Sequence, residues 1–167
     1  MDDIHTRIKI IPVEKCLIHE GTVQEWVDQI AATIKNDGIL KNPIIVTAHE
    51  SYYVVLDGMH RFAAIEQLEL PDILVCEVDY FSQGVVLEPP ATKKEVLECA
   101  LSKRILPPKS TKHAIAGRPL RVDLDLALLR ESVDLETKNK KLQAHLQKYR
   151  DNHQLRFYPE SVYVFAD

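Results

Sequence analysis

The chain's five glycines stand at positions 21, 38, 58, 84 and 117, and no two lie within a dozen residues of each other. This spacing removes whole classes of nucleotide fold. A Walker A loop needs G-x-x-x-x-G-K-[ST] and a dinucleotide fingerprint needs G-x-G-x-x-G, because closely set glycines let several backbone amides approach phosphate oxygens together. Neither pattern can be written here. HExxH zinc chemistry is excluded as well, since neither His19-Glu20 nor His49-Glu50 is followed by a histidine at the required spacing. Any phosphate site in this chain must use a different cradle.

The 167 residues are 46% hydrophobic and 28% charged, which predicts one compact domain over 1–167 with ample core. No apolar run approaches the ~20 residues of a membrane helix. The opening MDDIHTRIKIIP lacks the basic-then-apolar layout of a signal peptide, so a cytosolic protein is expected. Cys16, Cys76 and Cys99 stand far apart with no CxxC, indicating neither a disulfide framework nor a thiolate zinc site. Lys and Arg number 21 against 25 Asp and Glu, a net charge of −4. A domain that lives on a nucleic-acid backbone carries the opposite sign, so nucleic acid is not the expected partner.

Residues 7–13 read as a strand, followed by a loop over 14–21. Thr22 with Glu25 forms a capping-box pattern, and Val23, Trp26, Val27, Ile30 and Ile34 recur at helical spacing until Gly38 stops the helix. Residues 43–47 and 52–56 are two β-rich runs around a polar turn, a hairpin signal. Asp57 is expected to cap a helix reaching about Leu68, with Phe62, Ala63 and Ile65 inward; a buried strand follows over 73–80. Thr92 with Glu95 repeats the capping box for a helix to about Lys103. The run from Pro107 to His113 is a loop leading into a short helical turn, and 118–123 reads as a strand. Residues 124–150 are helical in two pieces, with Leu142, Leu146 and Tyr149 as a narrow apolar stripe, and 157–165 has strand composition. The class is α+β: a core over about 7–123 and a helical elaboration after it.

Three clusters carry chemistry. Asp57-Gly58-Met59-His60-Arg61 stands where an apolar strand turns into a helix, and a helix N-terminus attracts anions. Gly58 lets the backbone approach a ligand, Arg61 adds a planar fork of donors, and Asp57 either caps the helix or helps hold a magnesium ion. Ser110-Thr111-Lys112-His113 gathers two hydroxyls, an ammonium and an imidazole at an expected helix start, either a set of phosphate donors or an ordinary capped turn. His19-Glu20 lies in the loop before the first long helix, where a carboxylate is either solvated or a general base beside an anion cradle. Trp26 and the Tyr52-Tyr53 pair read as core and strand residues; aromatics at 7% are too sparse for a single-strand stacking platform.

In order and wording these residues resemble the ParB/sulfiredoxin superfamily. The resemblance runs over about 7–80: a helix, Gly38-x-x-x-x-Pro43-Ile-Ile-Val, a hairpin, then Asp57-Gly-Met-His-Arg61 opening a helix; the Pro-Pro-Lys-Ser-Thr-Lys-His run extends it to about 123. Its members share a small mixed sheet packed with helices and a nucleotide-phosphate cradle at the motif helix. Sulfiredoxins carry a cysteine where Met59 stands, and a thioether is no attacking thiolate. ParB proteins of chromosome partitioning carry a GERR-type motif, bind CTP and contact DNA; a ParB-like nucleotide-binding regulator is the alternative reading. The free L-serine kinases carry a DGxHR motif and an early His-Glu whose glutamate is the base, and the chain is most similar to that branch.

The resemblance implies transfer of a phosphoryl group from ATP or ADP, with Mg²⁺, to the hydroxyl of free L-serine, giving O-phospho-L-serine. It implies Glu20, Asp57 and His60 as catalytic residues, with Asp57 steering the metal. Gly58, Met59, His60 and Arg61 with Ser110, Thr111, Lys112 and His113 would bind nucleotide. His19, Thr22 and Arg156 would face the amino acid, Arg156 meeting its carboxylate.

Overall fold

The computed structural model describes residues 7–152 and 156–157. Short β-branched runs provide β1 (Ile8–Pro12), β2 (Cys16–Leu17), β3 (Ile39–Leu40), β4 (Ile44–His49), β5 (Tyr52–Asp57) and β6 (Asp72–Glu77). Helix α1 (Gln24–Asp37) precedes β3, and α2 (Met59–Gln67) connects β5 to β6. Beyond these come β7 (Val85–Leu87), α3 (Lys93–Ser102), β8 (His113–Ile115), β9 (Pro119–Arg121), β10 (Leu124–Asp125), α4 (Leu126–Arg130), α5 (Leu135–Asp151) and β11 (Arg156–Phe157).

Five strands form the main sheet in the order β1-β6-β4-β5-β2. The β4–β5 hairpin is antiparallel, while β6 lies parallel to β4 after the α2 crossover. Ile44, Val46, Val54, Val55, Ile73, Leu74 and Val75 are completely buried, so the middle of this sheet is covered on both faces. One pairing decides where function can sit. Strand β2 runs parallel to β5, Leu17 opposite Val54, so the residues after Leu17 leave the sheet at the same edge as Asp57 and α2. His19-Glu20 and the Asp57–Arg61 motif are thus brought to one edge by strand direction alone.

Helix ends differ from the sequence expectation at two places. The Thr22–Glu25 capping box does not form: Val23 is the N-cap, without a side-chain cap, and its amide donates to His60 Nε2 at 3.1 Å. Asp57 is no cap either. It is the last residue of β5, Gly58 takes the N-cap with φ +98°, and the Asp57 carboxylate turns to arginines instead. By contrast Thr92 accepts from the Glu95 amide at 3.2 Å, and Gly38 closes α1 in the left-handed conformation. The run before His113 enters strand β8, paired with β7, and not a helical turn.

The outer edge of β1 is closed by side chains. Asn139 on α5 accepts from the Ile10 amide at 2.8 Å and donates to the Ile10 carbonyl at 3.0 Å, doing what another strand would do. Next to it Lys138, only 1% exposed, reaches Asp72 Oδ2 at 2.6 Å and the Leu129 carbonyl at 2.9 Å. Leu142 and Leu146 join the same hydrophobic cluster as the sheet, so α5 is a packing helix, as its stripe suggests. Asn139→Leu strands the Ile10 amide and carbonyl without partners and is expected to cost about 2–4 kcal/mol. Urea unfolding checks this, and light scattering at high concentration should reveal association through the opened edge. The rest of the expected 157–165 strand lies outside the described residues.

Candidate functional site

The motif helix begins under tight steric control. A Cβ built on Gly58 would stand 2.6 Å from Ile44 Cγ2, and its φ of +98° is strained for any side chain. The glycine is therefore demanded by the packing of this turn on β4, not only by approach to a ligand. It leaves the first-turn amides of α2, which have no intrahelical acceptors, at the sheet edge. Arg61 extends from the same turn: Nη1 donates to the Pro43 carbonyl at 3.1 Å and the Asn42 carbonyl at 3.3 Å, and Nη2 lies 3.4 Å from Asp57 Oδ2. Arg118 reaches that same oxygen from the segment after β8 in a close ion pair and is 12% exposed. Two guanidiniums around one buried carboxylate leave a net charge of +1 beside the helix N-terminus.

Glu20 is held from a distant stretch of chain. The Gly21 amide donates to Leu106 and the Leu106 amide to His19, both at 2.8 Å, so residues 19–21 are zipped to 106–111. This brings three donors onto the Glu20 carboxylate. The Lys109 amide makes a close bond to Oε1; the Thr111 hydroxyl and amide reach Oε2 at 2.5 and 3.3 Å. Glu20 is 5% exposed.

Lys109 joins this carboxylate to the motif helix. Its amide holds Glu20 while its ammonium lies 5.1 Å from the Trp26 ring centre, and the Trp26 ring in turn lies 5.3 Å from that of His60 in the first turn of α2. Trp26 is thus no core residue: it is 42% exposed and roofs the edge where the two clusters meet. Burial and then the Lys109 charge hold the His60 imidazole below its ordinary pKa, so the ring is neutral, with Nε2 accepting from Val23. Beside Arg61 a groove of about 330 Å³ opens along α1, lined by Ile30, Thr33, Ile34, Asp37, Leu40 and Asn42 among others. Its walls are mainly apolar, with a few polar groups, the usual make-up of a small-molecule site.

Behind Glu20 lie two imidazoles with no exposed surface. His19 Nε2 meets Thr111 Oγ1 at 2.8 Å, and His113 Nε2 meets the Tyr80 hydroxyl at 2.8 Å. Burial pushes both rings down to about 4; for His19 the nearby Val55 backbone, outside hydrogen-bond geometry, offsets little of this. An unfolded histidine titrates near 6.5, so between pH 6.5 and 4 the unfolded chain binds more protons than the folded one. Their contribution to stability is complete above pH 6.5 and is lost as pH falls toward 4. Urea unfolding should lose about 2 kcal/mol in total between pH 7 and 5 for each ring that titrates, nearly all of it below pH 6.5; a flat profile would contradict two buried neutral rings.

The expected site residues therefore divide. Glu20, Gly58, His60 and Arg61 gather at the edge, and Met59 contributes only backbone there, its side chain being 7% exposed in the core. His19 and His113 are too deeply buried to touch a ligand, which corrects their assignment to substrate and nucleotide. The Ser110–His113 run is not a helix start: Ser110 Oγ donates to the Pro107 carbonyl, Thr111 to Glu20, and Lys112 projects from the surface. Thr22 follows Glu20 in the loop, half-buried, and the Arg156 side chain lies outside the described residues. Sequence reasoning does not single out Arg118, a lone arginine with no motif around it, or Lys109, which stands in the Pro107–His113 run just before the four residues expected to bind nucleotide. Among the described residues no three His, Cys, Asp or Glu side chains are grouped to hold a metal ion. Nor is any of their helices long and apolar enough to cross a membrane.

This arrangement, a mixed sheet with a glycine-opened helix at its edge, is the ParB/sulfiredoxin-like α+β fold. Residues 5–87 match the ParB N-terminal domain. A C-terminally truncated SbnI from Staphylococcus aureus superposes with a TM-score of 0.77 at 18% identity, covering 90% of this chain and all of the other. In sequence the chain is 32% identical over 79 residues to the ATP-dependent L-serine kinase SbnI of S. aureus, 47% of this chain and 31% of that protein. To the ATP-dependent L-serine kinase of Staphylothermus marinus it is 34% identical over 86 residues, 50% of this chain and 34% of the relative. The chain thus aligns with about a third of the length of the curated relatives it matches.

Proposed function

We propose that this protein is a kinase of free L-serine, transferring the terminal phosphoryl group of ATP or ADP to the serine hydroxyl. The observation that carries the reading is the convergence at one sheet edge: a buried, donor-fixed carboxylate joined through Lys109 and Trp26 to the first turn of a helix with a cationic flank. The names of the relatives, ATP-dependent L-serine kinases, support it from outside.

Phosphoryl transfer has a loose transition state with charge spread over the equatorial oxygens, so positioning and fixed electrostatics do most of the work. The amides at Gly58–His60, Arg61 and Arg118 supply that field, and the groove along α1 takes the nucleoside. Magnesium arrives on the nucleotide as part of the substrate, since no acidic cage exists among the described residues and Asp57 is already paired with two arginines. Asp57 accordingly positions the arginines. Glu20 orients the serine hydroxyl and accepts its proton as the new P–O bond forms and the bond to the leaving nucleotide breaks. For the serine carboxylate, the cation on offer is the Lys109 ammonium over Trp26, carried by the residue whose amide holds Glu20.

The test is ³¹P NMR of the purified protein with Mg²⁺ and free L-serine, in parallel tubes of ATP, ADP and CTP. An O-phosphoserine resonance is expected, and the tube it grows in names the donor. Nucleotide that is bound but left intact or merely hydrolysed would overturn the acceptor and favour a ParB-like nucleotide switch, which CTP dependence and a DNA mobility shift would then expose.

A further inference from the structure

A general base buried behind other groups must be held so that one lone pair faces its substrate. The Glu20 carboxylate has about four acceptor positions. Oε2 takes two donors, the Thr111 hydroxyl and amide, whereas Oε1 takes the Lys109 amide. The contacts among the described residues therefore fill Oε2 and leave room on Oε1.

The Thr111 hydroxyl has one hydrogen and two close neighbours, Glu20 Oε2 at 2.5 Å and His19 Nε2 at 2.8 Å. A carboxylate oxygen only accepts, so that hydrogen belongs to Glu20, and His19 must then present Nε2–H to the hydroxyl lone pair. His19 Nδ1 is buried and makes no hydrogen bond, the nearby Val55 backbone standing outside hydrogen-bond geometry, so the Thr111 hydroxyl alone sets the tautomer. His19 carries no exposed surface and cannot leave this arrangement without unzipping residues 19–21 from 106–111.

We propose that Thr111, oriented by the Nε2–H tautomer of His19, is the positioning residue of the base: it occupies Glu20 Oε2 and thereby assigns proton acceptance to Oε1. The inference rests on the kinase reading for its catalytic consequence and on the hydrogen-bond chain alone for its structural one. In the reaction the serine hydroxyl proton passes to Oε1 as the serine oxygen bonds to phosphorus and the nucleotide leaves; Thr111 keeps its own proton throughout and touches no substrate. The hydroxyl is a fixed donor, and its direction is imposed by a histidine that never titrates during turnover. A threonine in a polar loop motif reads as a phosphate ligand; here its oxygen is turned inward, with Thr111 only 7% exposed.

Thr111→Val keeps the branched shape and removes the hydroxyl. Its kcat should fall roughly 10- to 10²-fold, the cost of a base that is free to rotate, while nucleotide affinity stays within twofold. Thr111→Ser, which restores the hydroxyl, should recover most of the rate, and thermal melts of both variants identify any loss from misfolding. Independently of activity, ¹⁵N-detected NMR of the ring nitrogens should find His19 as the Nε2–H tautomer in the wild type and lose that preference in Thr111→Val. A Thr111→Val protein with kcat within twofold of wild type would overturn the positioning role. An unchanged His19 tautomer in that variant would overturn the chain itself. If the wild type makes no O-phosphoserine yet the tautomer depends on Thr111, the kinase reading fails and the coupling of His19 to Glu20 stands.

Discussion

Glu20→Gln is expected to lower the rate of phosphoryl transfer by roughly 10²- to 10⁴-fold, because a carboxamide cannot take the proton that the serine hydroxyl must lose. Nucleotide affinity should not move: the amides of α2, Arg61 and Arg118 lie on the other arm of the site, where both arginines are held by Asp57. The geometry adds a second, smaller effect. Three backbone and side-chain donors converge on the carboxylate. A glutamine keeps one acceptor oxygen for the Thr111 pair and must turn its own N–H groups toward the Lys109 amide. A donor facing a donor costs about 1–3 kcal/mol, so a modest fall in stability should accompany the loss of rate. Turnover by O-phosphoserine formation, with calorimetric titration of nucleotide, separates the two arms. A variant with near-normal turnover would remove Glu20 from the chemistry.

Gly58→Ala should be the most damaging substitution for the fold. The residue sits at φ +98°, and the added methyl carbon would press to 2.6 Å from Ile44 Cγ2 at the start of β4. Backbone strain of about 1–3 kcal/mol and overpacking of similar size together predict a loss of about 2–6 kcal/mol. Against a typical total of about 5–15 kcal/mol, that brings the chain near unfolding. Gly38→Ala isolates the first effect. It has φ +69° but nothing within 4 Å of the new Cβ, so it should cost only about 1 kcal/mol. Urea unfolding of the two variants side by side checks the difference; equal losses would mean that Ile44 yields and that packing does not enforce the turn.

The sequence disclosed what local chemistry controls. The hairpin, the glycine stop of α1, the Thr92 cap and the strand-to-helix position of the motif all depend on neighbours a few residues away. What it concealed depends on partners far along the chain. Asp57 meets Arg118 across 61 positions, Glu20 meets Thr111 across 91, and Ile10 meets Asn139 across 129. Such pairs leave no periodicity and no motif, so Asp57 reads as a cap and Thr111 as a phosphate ligand. Lys138 shows the same limit: lysine is almost never fully buried unless paired, and the Asp72 carboxylate that permits its burial is 66 residues away. Trp26 fails differently. Its helical spacing is right, but its ring is taken up by His60 and Lys109, and not by the core.

The central claim is that Glu20 and the Gly58 turn form one site, a base on one side and a phosphate cradle on the other. A crystal structure of the Glu20→Gln protein with Mg-ATP and L-serine tests it most directly, since the substitution traps the reactants. Phosphate oxygens are expected on the first-turn amides of α2 with Arg118 beside them, and the serine hydroxyl within about 2.6–3.2 Å of the residue 20 side chain. Phosphates bound away from Gly58, or a serine whose hydroxyl lies beyond the reach of residue 20, would contradict it.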